Sequence, residues 1–274
     1  MKIHYIKTDA SGNTTAIVTD TIDRAHYAKI GAAIIADESA GIEQVGFIEK
    51  PANKTSRSRL QMMGDKFCAN ALRSFAAYLL LSDKYAPTTG MIKVPVEISG
   101  NEGTTNVLII PGDKKSCVAV AEMPLPKNIY HTDNKYLGKV SVVEYEGIVH
   151  IVMWDAITPE PRLIIPAKEI LKSYNIDSPC IGLMFFDRVK KSLTPIVFVE
   201  ATKTAVRASS CGSGTAAVVC ALSSMLCSVI PDLPISQPGG ILRSAATFDG
   251  KNIINCSLTG EIIICGEHEI EINL

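Results

Sequence analysis

Apolar residues in this chain fall mostly into short runs rich in Val and Ile, the pattern of strands with one or both faces buried. Such runs occupy residues 16–18, 44–48, 91–98, 106–110, 118–121 and 140–145, then 149–154, 181–186, 196–199, 253–258 and 261–265. Residues 1–6 also open with strand-like alternation. Longer apolar stretches predict helices over 23–37, 70–81, 167–174 and 214–230. Strands outnumber helices without a regular strand–helix alternation, which predicts an α+β architecture rather than a doubly wound sheet.

Two of the predicted helices differ from the others. Residues 215–230 carry no charge, and 69–81 carry only Arg73. The first is shorter than the roughly 20 residues a bilayer span requires and is punctuated by Ser223, Ser224 and Ser228. A helix apolar on every side is packed centrally among other elements. Each half of the chain is therefore expected to hold one buried helix wrapped by strands. The halves also share an order: Gln44-Val45-Gly46-Phe47-Ile48-Glu49 precedes Cys68 much as Ile181-Gly182-Leu183-Met184-Phe185-Phe186-Asp187 precedes Cys211. We place a boundary near Ser116, giving an N-terminal lobe of 1–116 and a C-terminal lobe of 117–266.

A length of 274 residues fits two domains of ordinary size, and 47% apolar with 20% charged residues describes a chain with a substantial core. A net charge of -1 with no basic runs gives no reason to expect nucleic acid or an anionic membrane as a partner. The N-terminus shows no apolar signal core, so the cytoplasm is the expected location. Eight cysteines without a signal segment do not read as a disulfide framework, and the absence of a C-x-x-C pair leaves no structural zinc site. No metal is expected. Cys220, Cys227, Cys256 and Cys265 lie in apolar runs and, with Cys117 and Cys180, are expected to be buried and inert.

Cys68 and Cys211 stand apart. Each heads a run of small and amide residues, Cys68-Ala69-Asn70-Ala71 and Cys211-Gly212-Ser213-Gly214, and each precedes a predicted helix. A thiol at a helix N-terminus faces unpaired N–H groups and the positive end of the helix dipole, both of which favour thiolate. Two such thiols can attack one carbon from opposite faces, one taking a proton and the other returning it. Backbone N–H groups after each cysteine can neutralise an α-carboxylate, and the small residues Ala69, Gly212 and Gly214 let the backbone approach it. Most enzymes that remove an amino-acid α-proton recruit pyridoxal phosphate as an electron sink. The sequence gives that cofactor no support, and no cofactor is expected.

These residues carry a resemblance. The two cysteine loops resemble the paired Cys-Gly-Asn-Gly and Cys-Gly-Thr/Ser-Gly loops of diaminopimelate epimerase. Ser11-Gly12-Asn13 is similar to that family's Gly-Asn element, Glu43-Gln44 to its Asp-Gln, and Gln237-Pro238-Gly239-Gly240 to its late Pro-Gly-Gly turn. The matches follow family order across nearly the whole chain. The resemblance implies a diaminopimelate epimerase-like fold: two pseudo-symmetric domains, each a strand-wrapped central helix, with the active site between them. It also implies that residues 267–274 return to the first domain. It makes Cys68 and Cys211 the acid/base thiols. Asn13, Gln44, Asn70 and the loop at Gly212 and Ser213 would hold the substrate, with Ala69 in the first loop and Gln61 a looser match. Ala69, where relatives carry glycine, requires a negative φ.

Departures from the pattern narrow the substrate. Gly-Asn-Pro-His becomes Gly147-Ile148-Val149-His150, the later-strand asparagine is missing around Gly182, and no Glu-Arg pair precedes Cys211. A second amino-acid head group would lose most of its partners, at a cost. The stretches 43–49, 63–68 and 210–215 more closely resemble cofactor-independent histidine racemases. The expectation is a PLP-independent racemase of free histidine, with diaminopimelate or another free amino acid as the alternative. Family members often pair, which allows a homodimer.

Three rivals stand beside this. Residues 212–217 fit a relaxed dinucleotide fingerprint with Asp232 as the acidic partner, although Asp232 is flanked by Pro231 and Pro234 rather than ending a parallel strand. Cys68 and Cys211 could cycle through a disulfide. A catalytically silent amino-acid-binding protein is the third. His4, His26, His131, His150 and His268 show no metal-ligand spacing, His150 reads as a packed or surface residue, and Trp154 reads as core.

Overall fold

A computed structural model describes residues 1–113, 115–154 and 158–273. The chain forms two compact units, Met1–Glu122 together with the segment from Thr259, and Met123–Leu258. In the first lie β1 (Lys2–Ala10), β2 (Asn13–Val18), α1 (Tyr27–Ala36), β3 (Gln44–Glu49), β4 (Arg59–Met62), α2 (Ala69–Leu81), β5 (Ile92–Ile98), β6 (Thr105–Pro111) and β7 (Ser116–Glu122). In the second lie β8 (Asn128–Asn134), β9 (Gly138–Tyr145), β10 (Ile148–Met153), α3 (Ile164–Ser173), β11 (Cys180–Asp187), β12 (Ser192–Val199), β13 (Thr204–Arg207), α4 (Gly212–Leu226), β14 (Ile230–Gln237) and β15 (Gly240–Phe248). The last strand, β16 (Ile253–Glu271), begins in the second unit and from Thr259 belongs to the first.

The first unit is a closed barrel. Strands β1 to β7 pair in sequence order, β16 follows β7, and β16 pairs back onto β1 in antiparallel register from Lys2↔Glu271 to Asp9↔Ile263. Closure leaves no unpaired edge. Helix α2 packs against β1, β2, β5, β6 and β7. Its Leu72, Phe75, Ala76 and Leu80 are buried with Val94, Val96, Val107, Ile109, Ala119 and Ile262, so the helix is apolar on nearly every side because strands surround it. Outside, α1 covers β3, with Tyr27 stacked on Phe47 at 3.7 Å.

In the second unit the strand order is β16-β15-β14-β12-β11-β10-β9-β8, and α4 packs on β9, β10, β11, β14 and β15. The uncharged run from Thr215 is thus a buried helix, with Ala216 to Ala221 fully enclosed. Helix α3 lays Ala167, Ile170 and Leu171 against the other layer of apolar strand residues. No helix among the described residues is long and apolar enough to cross a membrane.

Several expectations need correction. Strand β7 pairs with β6 and belongs to the first unit, so the division falls after Glu122 rather than near Ser116. The returning segment starts at Thr259, upstream of residue 267; Leu274 lies outside the described residues. The helix read over 214–230 stops at Leu226, where Cys227 takes a left-handed conformation at φ 49° and Ser228 N–H reaches back to Ser223 O. That is a Schellman-type stop, and Ile230 then starts β14. Cys227 and Cys265 are exposed rather than buried, Cys227 because the helix has ended and Cys265 because β16 turns that face outward; Cys117, Cys180, Cys220 and Cys256 are buried. Strands β4, β8, β13, β14 and β15 have no counterpart among the apolar runs.

Candidate active site

Both candidate thiols cap helices, and in the same geometry. Cys68 is the N-cap of α2 with φ -136° and ψ 113°, and Cys211 the N-cap of α4 with φ -130° and ψ 107°. Each sulfur accepts from the backbone N–H three residues on, Ala71 at 3.5 Å and Gly214 at 3.3 Å. A cysteine replaces the usual Ser or Asp cap because its extended backbone turns the side chain over the first helical turn. Both thiols are partly exposed. Ala69 is buried in the first turn of α2 and is not among the residues with positive φ.

The second loop is the more tightly built. Gln237, in the strand before the Pro-Gly-Gly turn, accepts the Cys211 N–H at 2.9 Å and donates to Thr215 Oγ1 at 2.8 Å. Thr215 Oγ1 in turn donates to Cys211 O at 2.7 Å. Gly239 N–H donates to Ser209 O at 2.8 Å. Gly214 is needed for close approach: a Cβ there would lie 2.2 Å from Met184 Sδ and 3.1 Å from Cys211 Sγ.

Ser213 Oγ lies 3.6 Å from Cys211 Sγ and is hydrogen-bonded to His150 Nε2 at 3.0 Å. His150 is fully buried, and its Nδ1 has no partner among the described residues. Burial pushes its pKa down to about 3, so the imidazole is neutral. Gly182 makes room for the ring, since a Cβ there would lie 2.1 Å from Nδ1. Cys211 corrects one expectation. Burial raises its pKa, and this outweighs the Ser213 hydroxyl and the N–H groups of Gly214 and Ser213 that lower it. The helix N-terminus alone does not make this thiol a thiolate.

In the first unit, Ser11 (φ 57°) and Gly12 (φ 81°) form the two-residue hairpin that places Asn13 at the start of β2. Asn13 donates to Glu43 Oε2 at 2.6 Å and accepts from Gln44 Nε2. Parallel pairing of β2 with β3 brings Asn13 beside Gln44. Glu43 thereby joins the cluster; it was part of the matched motif but was not singled out in the sequence as a site residue. Gln61 is buried and braces the loop before Cys68: it accepts from Arg59 Nη2 at 3.1 Å and donates to Asp65. Asn70 is buried on the first turn of α2, its Oδ1 accepting from Arg73 Nη2 at 2.8 Å. Two surface depressions of the first unit, about 730 Å³ beside Arg59 and Glu97 and about 580 Å³ beside His4 and His268, include none of these predicted site residues.

Asp232, the acidic residue of the dinucleotide reading, is exposed within β14 and held by both Nε and Nη2 of Arg243. Among the described residues no cluster of His, Cys, Asp and Glu is arranged to hold a metal. Gln237 lies in the matched Gln-Pro-Gly-Gly segment, but its bonds to Cys211 and Thr215, and the bond between His150 and Ser213, were not legible, because each depends on which strand lies beside which helix.

Residues 2–270 match the family model described as the histidine racemase CntK N-terminal domain. A histidine racemase of Fusobacterium nucleatum subsp. nucleatum is 30% identical over 223 residues, which cover 79% of this chain and 80% of that protein. One from Staphylococcus aureus is 27% identical over 248 residues, covering 87% and 86%. Among solved structures, a probable proline racemase from Agrobacterium radiobacter superposes with a TM-score of 0.65 at 13% identity, over 99% of this chain and 93% of that one. A PhzF-family phenazine biosynthesis protein from Bacillus anthracis gives 0.68 at 13% identity, over 99% and 100%. At such identities these likenesses bear on the fold alone, which is of the proline racemase and PhzF kind. Because the family model spans nearly the whole chain, the protein belongs to the histidine racemase family and is an isomerase.

Proposed function

We propose that this protein racemises free histidine without a cofactor, with Cys68 and Cys211 as the two acid/base groups. One sulfur, as thiolate, takes the hydrogen from Cα. The other, as thiol, delivers its proton to the opposite face of the carbanion. The product is the other enantiomer, and the two sulfurs have exchanged protonation states. The observation that carries the reading is the matched N-cap geometry of the two thiols, each with a backbone N–H aimed at its sulfur.

In this reading the N–H groups of Ala69, Asn70, Gly212 and Ser213 bind the α-carboxylate and offset charge building up at Cα. Asn13 and Gln44, with Glu43 beside them, hold the ammonium; Gln61 shapes the loop before Cys68. The fold is a diaminopimelate epimerase-like pair of pseudo-symmetric lobes, and the enzyme works in the cytoplasm as a monomer or homodimer. Diaminopimelate or another free amino acid is the alternative substrate.

The test is hydrogen exchange at Cα in heavy water, read by mass spectrometry alongside chiral chromatography of each L-amino acid and diaminopimelate. Histidine is expected to exchange and racemise, and Cys68→Ala and Cys211→Ala to abolish racemisation. Racemisation surviving in both variants sinks the two-thiol assignment. Faster turnover of another amino acid moves the substrate and keeps the chemistry.

A further inference from the structure

One buried ring beside the second thiol is not used by the chemistry above. His150 is fully enclosed on β10, opposite Gly182 of the parallel strand β11. Its Nε2 lies 3.0 Å from Ser213 Oγ, and Ser213 Oγ lies 3.6 Å from Cys211 Sγ. Among the described residues the Ser213 hydroxyl has no other partner. That hydroxyl carries one hydrogen, so the direction of the chain follows from which ring nitrogen of His150 is protonated. Nδ1 decides this. It has no partner among the described residues and is pressed against Gly182, where an added Cβ would stand 2.1 Å from Nδ1 and 2.8 Å from Met184 Cε. A hydrogen on Nδ1 would be a buried donor with no acceptor, whereas a lone pair there can take a weak contact from the glycine Cα–H.

With Nδ1 bare, the ring hydrogen sits on Nε2 and is donated to Ser213 Oγ, which leaves the hydroxyl hydrogen for Cys211 Sγ. We infer that His150 is a positioning residue for Cys211: as the Nε2–H tautomer, it holds the Ser213 hydroxyl as a donor to the sulfur. In the opposite direction the Cys211 S–H would donate to Ser213, and Ser213 to the ring. The thiolate would then lack a hydroxyl donor, and the thiol hydrogen would be tied to Ser213. The inferred direction serves both protonation states, supporting the thiolate and leaving the thiol hydrogen free for Cα. Its role in turnover rests on the two-thiol reading; the tautomer and its hydrogen bonds do not. Tyr145 of β9 stands edge-on to the ring at 6.0 Å and donates to Cys220 Sγ of α4 at 3.8 Å. Burial keeps Tyr145 protonated, as the bond to Cys256 together with burial keeps Cys220. Burial likewise keeps His150 neutral, so its tautomer is the same across the neutral range.

Long-range proton–nitrogen NMR on the intact protein, carrying isotope-labelled histidine, reads the tautomer directly; the His150 signals are those lost in His150→Gln. A protonated Nε2 and a bare Nδ1 are expected at neutral pH, and the reverse pattern overturns the inference. Peptide-resolved alkylation by iodoacetamide, followed from about pH 5 to pH 10, then reads both thiols. His150→Met should raise the Cys211 midpoint by about half a unit or more, slowing it at neutral pH about threefold, while Cys68 stays within about twofold. His150→Gln keeps a donor near the Nε2 position and should restore most of the rate. In a Ser213→Ala background, His150→Met should add nothing, because the ring acts through the hydroxyl. A Cys211 midpoint indifferent to His150→Met, or shifted equally with Ser213 absent, overturns the proposal; the NMR measurement stands even if His150→Met does not fold. Racemisation by a protein with an Nδ1–H ring removes the positioning role and leaves the racemase. An Nε2–H ring and a His150-dependent Cys211 in a protein that exchanges no Cα hydrogen do the reverse.

Discussion

Gln237 holds Cys211 from the strand side. Its side-chain oxygen accepts the Cys211 N–H at 2.9 Å, and its Nε2 donates to Thr215 Oγ1, which closes the loop by donating to Cys211 O. The Gln-Pro-Gly-Gly segment therefore acts as a clamp on the N-cap of α4, and the Gly239 N–H to Ser209 O bond is its second jaw. Gln237→Leu leaves a buried N–H and a buried hydroxyl short of partners, which should cost about 1–3 kcal/mol in urea unfolding. Racemisation should fall further than stability does, because the loop presenting the sulfur loosens. Equal activity per folded molecule in the variant would show that the clamp matters to folding alone.

Gly214→Ala tests how closely α4 approaches β11. The added methyl lies 2.2 Å from Met184 Sδ and 3.1 Å from Cys211 Sγ, so Met184 must move and the sulfur is crowded. Ala raises helix propensity by about 1 kcal/mol, which offsets part of the strain. The expected outcome is a modest change in thermal midpoint with a drop in kcat of about tenfold or more. Pairing it with Met184→Ala should recover part of the activity. No recovery in the double variant would place the damage at the sulfur and not at the methionine.

The pH dependence of stability should carry the signature of His150. Its folded pKa, about 3, is depressed below the unfolded value by burial. Its contribution is therefore fully present above about pH 6.5 and is lost as pH falls through the window down to about 3. At pH 5 the loss amounts to roughly 2 kcal/mol, an order-of-magnitude figure for a fully buried ring. Denaturant titrations at pH 7 and pH 5 measure it, and His150→Gln should flatten the difference. An unchanged pH dependence in that variant would mean that other groups dominate acid unfolding.

Removing the Ser213 hydroxyl isolates what it does for Cys211. It is one of the groups lowering that thiol's pKa against the larger effect of burial. Ser213→Ala should therefore push the alkylation midpoint of Cys211 upward and leave that of Cys68 in place. A midpoint that stays put would show that the N–H groups of Gly214 and Ser213 alone set the sulfur's proton affinity.

What the sequence made legible follows from the reach of each signal. Helices α2 and α4 are uncharged or nearly so and begin at a cysteine loop, so their existence and N-terminal ends could be read locally. The end of α4 could not, because an apolar run continues past Cys227 and only a left-handed backbone stops it. Strand β14 contains Pro231 and Pro234 and is half exposed, and β13 is exposed along its length, so neither shows the apolar alternation that marks a strand. The candidate thiols were legible as a repeated local pattern. Ser213 is two residues from Cys211, but the neutral His150 behind it comes from β10, and no short window of sequence contains both.

The strand that completes the first unit's barrel has a consequence for how the protein is made. β16 supplies the hydrogen-bonding partner for β1, yet its residues leave the ribosome only after the entire second unit has been synthesised. Nascent β1 must wait with one edge bare, and long-range pairings of this sort form slowly. The half of the chain translated first is thus the half that matures last, and substitutions in residues 263–271 should surface as poor yield from cells before they surface as lost turnover.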